Sequence, residues 1–600
     1  MNSILTDLNP KQQEAVTYTD GPLLILAGAG SGKTRCLTRR AAYLILEKGV
    51  PSREILLTTF TNKAAGEMKE RIRKLIGDEP GFVGTFHSFC VRVLRIDGKE
   101  IGIKSNFVIY DEQDQKEAIK EILTVMDLSV ESFNPSAVAT TISGAKSQML
   151  SPLQFGEIAQ GEWQEKVFVI YSEYEKFLKK VGALDFDDLL LKTVDLFEKS
   201  PETLSKWQKR LTHILVDEWQ DTNKIQYRLT KLIVGKNENI TAVGDISQSI
   251  YGWRGADYKN VNYLIKDFPN IKIVNLEQNY RSTQNILSAA NSVISKNTTH
   301  PSLNLWTKNS QGEKIRIYRA KNGFDEASFA VNEIISLTTK DFDHKDIALL
   351  YRTNAQSRVL EETLLRAGIP YTLVGGVRFY SRKEIKDVIS YLRLLTNPKD
   401  RVSKNRALKI GKRRFEKFKE FMKSTNNIEK YSTLDLLDSV LQKTDYLSKY
   451  QKESEENLMR LENIKELRSV AAEFPEIKDF LENVALVQAE QNELGVVKPF
   501  KKPSGKITLM TLHAAKGLEF PVIFIVGMEE GLFPHSRSLF DIDQLEEERR
   551  LAYVGMTRAK KLLYLTFANR RLYFGQKTSN PPSRFIIDIP DNLSEGISAL

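Results

Sequence analysis

Residues 23–34, LLILAGAGSGKT, decide how this chain folds. The apolar run Leu23–Ala27 reads as a buried strand, the glycine-rich stretch AGAGSGKT as a tight loop, and a helix is expected from about Thr34 to Glu47. Ala27 stands where the phosphate-cradling pattern has its first glycine, while Gly28, Gly30 and Gly32 keep the backbone open. In such a loop the backbone of Gly28, Ala29, Gly30, Ser31, Gly32, Thr34 and Arg35 surrounds phosphates at a helix N-terminus. Lys33 then reaches the β and γ oxygens and the Thr34 hydroxyl faces Mg²⁺. The position between strand and helix makes the motif specific.

Outward from the loop, Ile55–Phe60 is a second short strand that leads into the helix NKAAGEMKERIRKLI, so an α/β alternation is under way by residue 80. From about 108 to 190 the sequence turns helical and amphipathic before strand-like runs resume at HILVDE and ITAVGD, which marks an insertion. A second alternation begins near Ile271 with IKIVNL, IRIYRA and DIALLYR, and is interrupted in turn to about residue 500. The expected fold class is α/β, with two parallel-sheet domains each carrying a helical insertion. The expected boundaries are 1–107 with 191–275, insertion 108–190, then 276–384 with 501–590, insertion 385–500, and a frayed tail at 591–600.

Composition narrows the classes. Six hundred residues, 41% hydrophobic and 27% charged, make several cores and exclude a small disulfide scaffold. No run approaches the roughly 18 apolar residues of a membrane span. The start, MNSILTDLNPKQQEAV, lacks a basic segment before an apolar core, so the chain is expected in the cytoplasm. Cys36 and Cys90 read as isolated buried thiols. A net charge of +10 permits a polyanionic partner.

The strand HILVDE ends in Asp217 and Glu218. After a phosphate loop, a strand-terminal acid pair reads as Asp217 holding Mg²⁺ and Glu218 orienting the attacking water as general base.

In order, the chain carries LNPKQQEAV, AGAGSGKT, TTFTNKAAGEM, GTFHSF, DEWQDTNKIQY, AVGDISQSIYGWRGAD, LEQNYRSTQNIL, LLYRTNAQSR, VGGVRFYSRKEIKD, TLHAAKGLEFPVIFIVGMEEGLFP and EEERRLAYVGMTRAKK. This series, from residue 8 to about 590, resembles the UvrD, PcrA and Rep helicases of superfamily 1. The resemblance implies two RecA-like motor domains driven by ATP and Mg²⁺. It implies that Gln12 reads the adenine edge, Tyr280 stacks on the base and Glu519 accepts from the ribose. Arg281 and Arg558 become arginine fingers supplied across a cleft, and Gln248 senses the γ-phosphate. Single-stranded DNA contacts fall to Phe60, Asn62, Phe86, His87, Tyr251, Trp253, Arg254, Arg352, Asn354, His513 and Phe574, whose aromatics suit sequence-independent stacking. Trp219 is expected to pack.

Residues 399–423 hold eleven Lys or Arg against three acids. Two helices meeting around Ile410 and Gly411 would set Lys412, Arg413 and Arg414 on duplex phosphates. Against that resemblance the chain is expected to differ in a shortened second insertion, in the absence of the C-terminal extension many relatives carry, and in Ile246 and Ser247 at positions where relatives often carry acids. The reading is a 3′–5′ DNA helicase and translocase acting on single strands and on junctions with 3′ tails, as monomer or DNA-induced dimer, beside repair or replication proteins. The alternative is a partner-dependent translocase or scaffold subunit that unwinds poorly alone.

Overall fold

The computed structural model describes residues 4–19, 21–130, 132–425, 427–450, 454–493, 505–573 and 576–598. The described residues divide into two compact units, one of residues up to Tyr280 together with His300–Lys308, the other of Arg281–Thr299 and residues from Asn309 onward.

In the first unit, β1 (Leu23–Ala27), β2 (Ile55–Thr59), β3 (Phe82–Thr85), β4 (His213–Val216), β5 (Ile240–Gly244) and β6 (Lys272–Leu276) form one sheet in the order β3–β2–β4–β5–β1–β6. Every pairing is parallel. Strands buried on both faces need apolar runs rather than alternation, which is why β1, β2 and β5 read as such. Helices cover both faces over two apolar clusters, one around Cys36 and Leu37, the other around Phe89 and Trp219. The strand IKIVNL, grouped by sequence with the second alternation, belongs here instead. Leu23 pairs with Lys272 and Ala27 with Leu276, so β6 closes the first sheet beside the phosphate loop.

Between β3 and β4 the chain forms the helices Glu112–Val125, Pro135–Ser147, Pro152–Ile158 and Gly161–Val181 over a core of their own. A short parallel pair, Val108–Tyr110 with Ala183–Asp185, pinches this block at its base.

The second unit holds β7 (Ile315–Ala320), β8 (Ile347–Tyr351), β9 (Tyr371–Val374), β10 (Ile507–Thr511), β11 (Phe520–Ile525), β12 (Ala559–Ala568) and β13 (Ser594–Ser598), ordered β9–β10–β8–β11–β12–β7–β13 and again all parallel. The expected frayed tail is therefore corrected: Ser594–Ser598 is an edge strand, its backbone paired along Ile315–Arg319. The sequence DNLSEGISAL hides this because an edge strand's pairing needs backbone groups rather than a buried apolar face. Six helices between Lys383 and Glu493 build a separate core around Tyr391, Phe418 and Leu467. Among the described residues no helix is long and apolar enough to cross a membrane. Cys36 and Cys90 are free and buried, each thiol pushed up to about 12 by burial.

Candidate functional site

The loop after β1 is held by its carbonyls. Gln12 Nε2 donates to the Ser31 carbonyl at 2.9 Å, Asn279 Nδ2 to Ala29 at 2.8 Å, and the Tyr280 N–H to Gly30 at 3.0 Å. Two loop N–H groups are also engaged, Gly28 to the Leu276 carbonyl and Ser31 to that of Gly28, so an anion would be met by the N–H groups at Gly30, Gly32 and the first helical turn. Gly32 adopts φ +85°, which disfavours any side chain, and starts the helix Lys33–Leu46 without a side-chain cap. A Cβ at Gly28 would stand 2.2 Å from the end of the Leu305 side chain, which would have to move to admit one.

Lys33 Nζ lies buried, 3.8 Å from Asp245 Oδ2, with no hydrogen-bond partner among the described residues. Asp217, one residue beyond β4, also has an unpartnered buried oxygen, Oδ1. Burial, then the neighbouring Glu218, push its carboxyl up to about 7, while Lys33 opposes them. Burial likewise raises Asp245. Such atoms are costly to leave unpaired, and their convergence marks a ligand site.

A polar relay runs across the strand ends. Glu218 sits in the left-handed region at φ +51°, where strain in a non-glycine residue accompanies function. Its Oε2 accepts from Gln220 Nε2 at 2.6 Å, Gln220 Oε1 accepts the Asp245 N–H at 2.9 Å, and Gln248 Nε2 donates to Asp245 Oδ2 at 2.6 Å. Sequence reasoning missed Gln220, whose signal was an amide two residues after the acid pair. Ser247, unexpected at its position, donates its N–H to Asp245 Oδ1 and pairs its hydroxyl with His300 Nε2 at 3.1 Å.

Gln12 is buried, its Oε1 accepting the Asn9 N–H at 3.1 Å. A carboxamide keeps one further N–H and one lone pair after these two bonds, enough for a base edge. Tyr280 is 46% exposed, its hydroxyl held by Asn9 and Gln278.

In the second unit the expected nucleotide residues bind one another. Arg281 Nε donates to Glu519 Oε2 at 2.7 Å, and Lys560 reaches the other Glu519 oxygen at 2.7 Å. Burial works against the Glu519 charge, but these cations outweigh it and hold the carboxyl below its ordinary value. The buried Arg558 donates to the carbonyls of Val554 and Leu518 and to Thr557 Oγ1. Here Glu519 meets arginine and lysine, and the Arg558 guanidinium is turned into its own unit.

Of the expected DNA contacts in the first unit, Phe60 and Tyr251 stack at 5.4 Å and 6°, with Phe60 39% and Trp253 45% exposed. Asn62 is exposed at the start of the helix Asn62–Ile76, and Arg254 lies in the helical turn Gly252–Arg254. His87 meets the half-exposed Phe186 edge-on at 5.7 Å. Phe186 was missed in sequence; its signal was an aromatic at a helix start immediately after a strand. Phe86 is corrected: it is 8% exposed within the apolar cluster and offers no face to a base. Trp219 packs as expected, its indole donating to the Asn260 carbonyl.

In the second unit, Arg352 forms a bidentate pair with the buried Glu548 at 2.6–3.0 Å, so its charge is already matched. A DNA contact by Arg352, as the resemblance implies, would have to share or displace this pairing, because the buried carboxylate engages the guanidinium fork. Asn354 Nδ2 donates to Met459 Sδ at 3.7 Å, and half-buried His513 follows β10. Phe574 lies outside the described residues. The basic run forms the helices Arg401–Ile410 and Lys412–Ser424 meeting at Gly411, with Lys412 and Arg413 exposed and Arg414 bonded to Ser448.

Comparison with known proteins agrees with this architecture. Residues 8–269 match the family model of the UvrD/REP helicase N-terminal domain, and residues 274–570 that of the UvrD-like helicase C-terminal domain. The ATP-dependent DNA helicase PcrA of Bacillus subtilis (strain 168) is 46% identical over 649 aligned residues, covering 100% of this chain and 87% of that protein. The proteins of the same name from Staphylococcus aureus (strain Mu50) and Staphylococcus epidermidis (strain RP62A) are each 44% identical, covering 100% and 99% of this chain and 88% of theirs. With both motor sheets matched and the relatives aligned along its length, the chain belongs to the UvrD/REP helicase family.

Proposed function

We propose that the protein is an ATP-dependent DNA helicase that moves 3′ to 5′ on single strands and displaces the complementary strand. The observation that carries the reading is the pair of unpartnered buried atoms, Lys33 Nζ and Asp217 Oδ1, beside a loop whose carbonyls are held by Gln12 and Asn279. ATP phosphates satisfy both needs at once. Lys33 binds the β and γ oxygens, and the backbone of Gly28–Arg35 spreads the remaining charge. Thr34, half-buried in the first helical turn, and the bare Asp217 oxygen suit a hard cation with oxygen ligands, so these two residues would hold Mg²⁺. A bound ion supplies charge neutralisation between the phosphates.

Glu218 orients a water for in-line attack on the γ-phosphorus. The new P–O bond forms as the bridging P–O bond to the β-phosphate breaks, and Glu218 accepts the water proton. The Gln220, Asp245 and Gln248 relay passes the state of the γ-phosphate toward the loop of Tyr251 and Trp253. Arg281 and Arg558 are proposed to exchange their present partners for γ-phosphate oxygens during turnover. Gln12, Tyr280 and Glu519 take the nucleoside. Phe60, Tyr251, Trp253 and His87 hold bases by stacking, which is sequence-tolerant and easily released. Asn62, Arg254, Asn354, His513 and Phe574 complete the track, and Lys412 and Arg413 meet duplex phosphates. The setting is bacterial cytoplasm, with repair or replication as the process.

Strand displacement on otherwise identical duplexes with a 3′ tail, a 5′ tail or none, with ATPase followed in parallel, tests this. Displacement confined to the 3′-tailed substrate is expected. Displacement from the 5′ tail alone overturns the polarity, and strand-stimulated ATPase without displacement overturns unwinding by the lone chain.

A further inference from the structure

The second insertion holds a cavity of about 420 Å³ that the helicase reading does not use. One wall is a face of the helix Lys383–Thr396, bearing Lys386, Ile389, Ser390 and Arg393 at helical spacing. The opposite wall is the first turns of the helix Arg401–Ile410, bearing Val402, Ser403 and Arg406. Arg378, Ser381 and Gln488 close its ends.

Its electrostatics are one-sided. Four cationic side chains and no carboxylate line it. The nearest acid on the same helix, Asp387, is committed elsewhere: one oxygen takes Arg406 at 2.7 Å and the other takes the Tyr446 hydroxyl at 2.9 Å. Asp400 is engaged in capping its own helix. Neither Lys386 nor Arg393 forms an ion pair among the described residues, although the Arg393 charge helps hold the capping Asp400 carboxyl below its ordinary value, so cations still dominate a concave site where field lines concentrate.

We propose that this cavity binds a small phosphorylated ligand of nucleoside di- or triphosphate size, at a site separate from the phosphate loop. Arg393 and Lys386 take phosphate oxygens, Arg393 through its planar fork and Lys386 as a point charge. Ser381 adds a hydroxyl, and Ile389 and Val402 give the nucleoside an apolar wall. The volume falls in the range of small-molecule pockets. A DNA duplex, whose major groove alone is roughly 12 Å wide, is too large to enter.

Binding of inorganic pyrophosphate, measured by calorimetry in crossed variants, tests the site. Wild type is expected to show two sites. Lys33→Ala removes the loop site and leaves the second; Lys386→Ala with Arg393→Ala weakens the second by about tenfold or more and leaves the first, with strand-stimulated ATPase unchanged. ADP should reproduce the pattern. A single site abolished by Lys33→Ala overturns the proposal. So does a double variant that loses single-strand affinity while keeping both pyrophosphate sites, since the cations would then serve the DNA backbone.

Discussion

The two units keep their functional charges in opposite ways. In the first, Lys33 and Asp217 each leave a buried atom without a hydrogen bond, and the loop around them is fixed by bonds from Gln12, Asn279 and Tyr280. In the second, Arg281, Arg558 and Glu519 are engaged by their own neighbours. The first leaves polar atoms for a ligand; the second, on the proposed function, would trade bonds to act. A preorganised loop needs no rearrangement to receive a phosphate, whereas a cation that already has partners would act in turnover, as proposed, only by giving one of them up.

The sharpest way to break this contrast is Arg558→Ala. If the guanidinium leaves Val554 and Leu518 for the γ-phosphate, kcat for ATP hydrolysis should fall by about 10³ or more. A variant that loses thermal stability but keeps its turnover per folded molecule would make Arg558 a clamp. Glu218→Gln probes the organised half. Turnover should drop by about 10² or more while nucleotide binding, read by fluorescence titration, persists.

Arg352→Ala asks whether a paired cation is structural. Stranding the buried Glu548 should cost about 3 kcal/mol in denaturant unfolding, with a smaller change in single-strand affinity. Trp253→Ala should weaken single-strand binding by about tenfold, consistent with one stacked base, without altering basal hydrolysis. The smallest effect concerns protons. The Asp217 carboxyl, raised to about 7, must release its proton to hold a cation, so Mg-nucleotide affinity should rise with pH up to about 7 and level above it. For folding, a carboxyl with a raised native value favours the folded state below its unfolded value, near 3.8. That contribution is lost as pH rises toward 7, so stability and affinity should run in opposite directions.

The phosphate loop, the acid pair and the doubled α/β alternation were legible because each is local: a strand, a turn chemistry and a helix within a dozen residues. Phe86 was misread because motif position does not say which side of a helix faces the core; its neighbour His87 is the half-buried one. The pairing of Arg352 was hidden because Glu548, its partner, lies 196 residues away. Gln220 stood in plain view inside DEWQD, but its bridge to Asp245 exists only once β4 and β5 lie side by side. Ser594–Ser598 carried no apolar signature, so pairing alone reveals it.

That last strand has a consequence for how the protein is made. The first unit's contacts end with Lys308, but β7 has its neighbours only in β12 and β13, more than two hundred residues later. At bacterial synthesis rates of roughly 5–20 residues per second, the first motor has a head start of about 15 to 60 s over the second. During that interval the Ile315–Ala320 segment waits at the ribosome with both edges open. Chaperone demand should therefore fall on the second motor, and a stalled ribosome would release a nucleotide-binding fragment joined to an unfinished sheet.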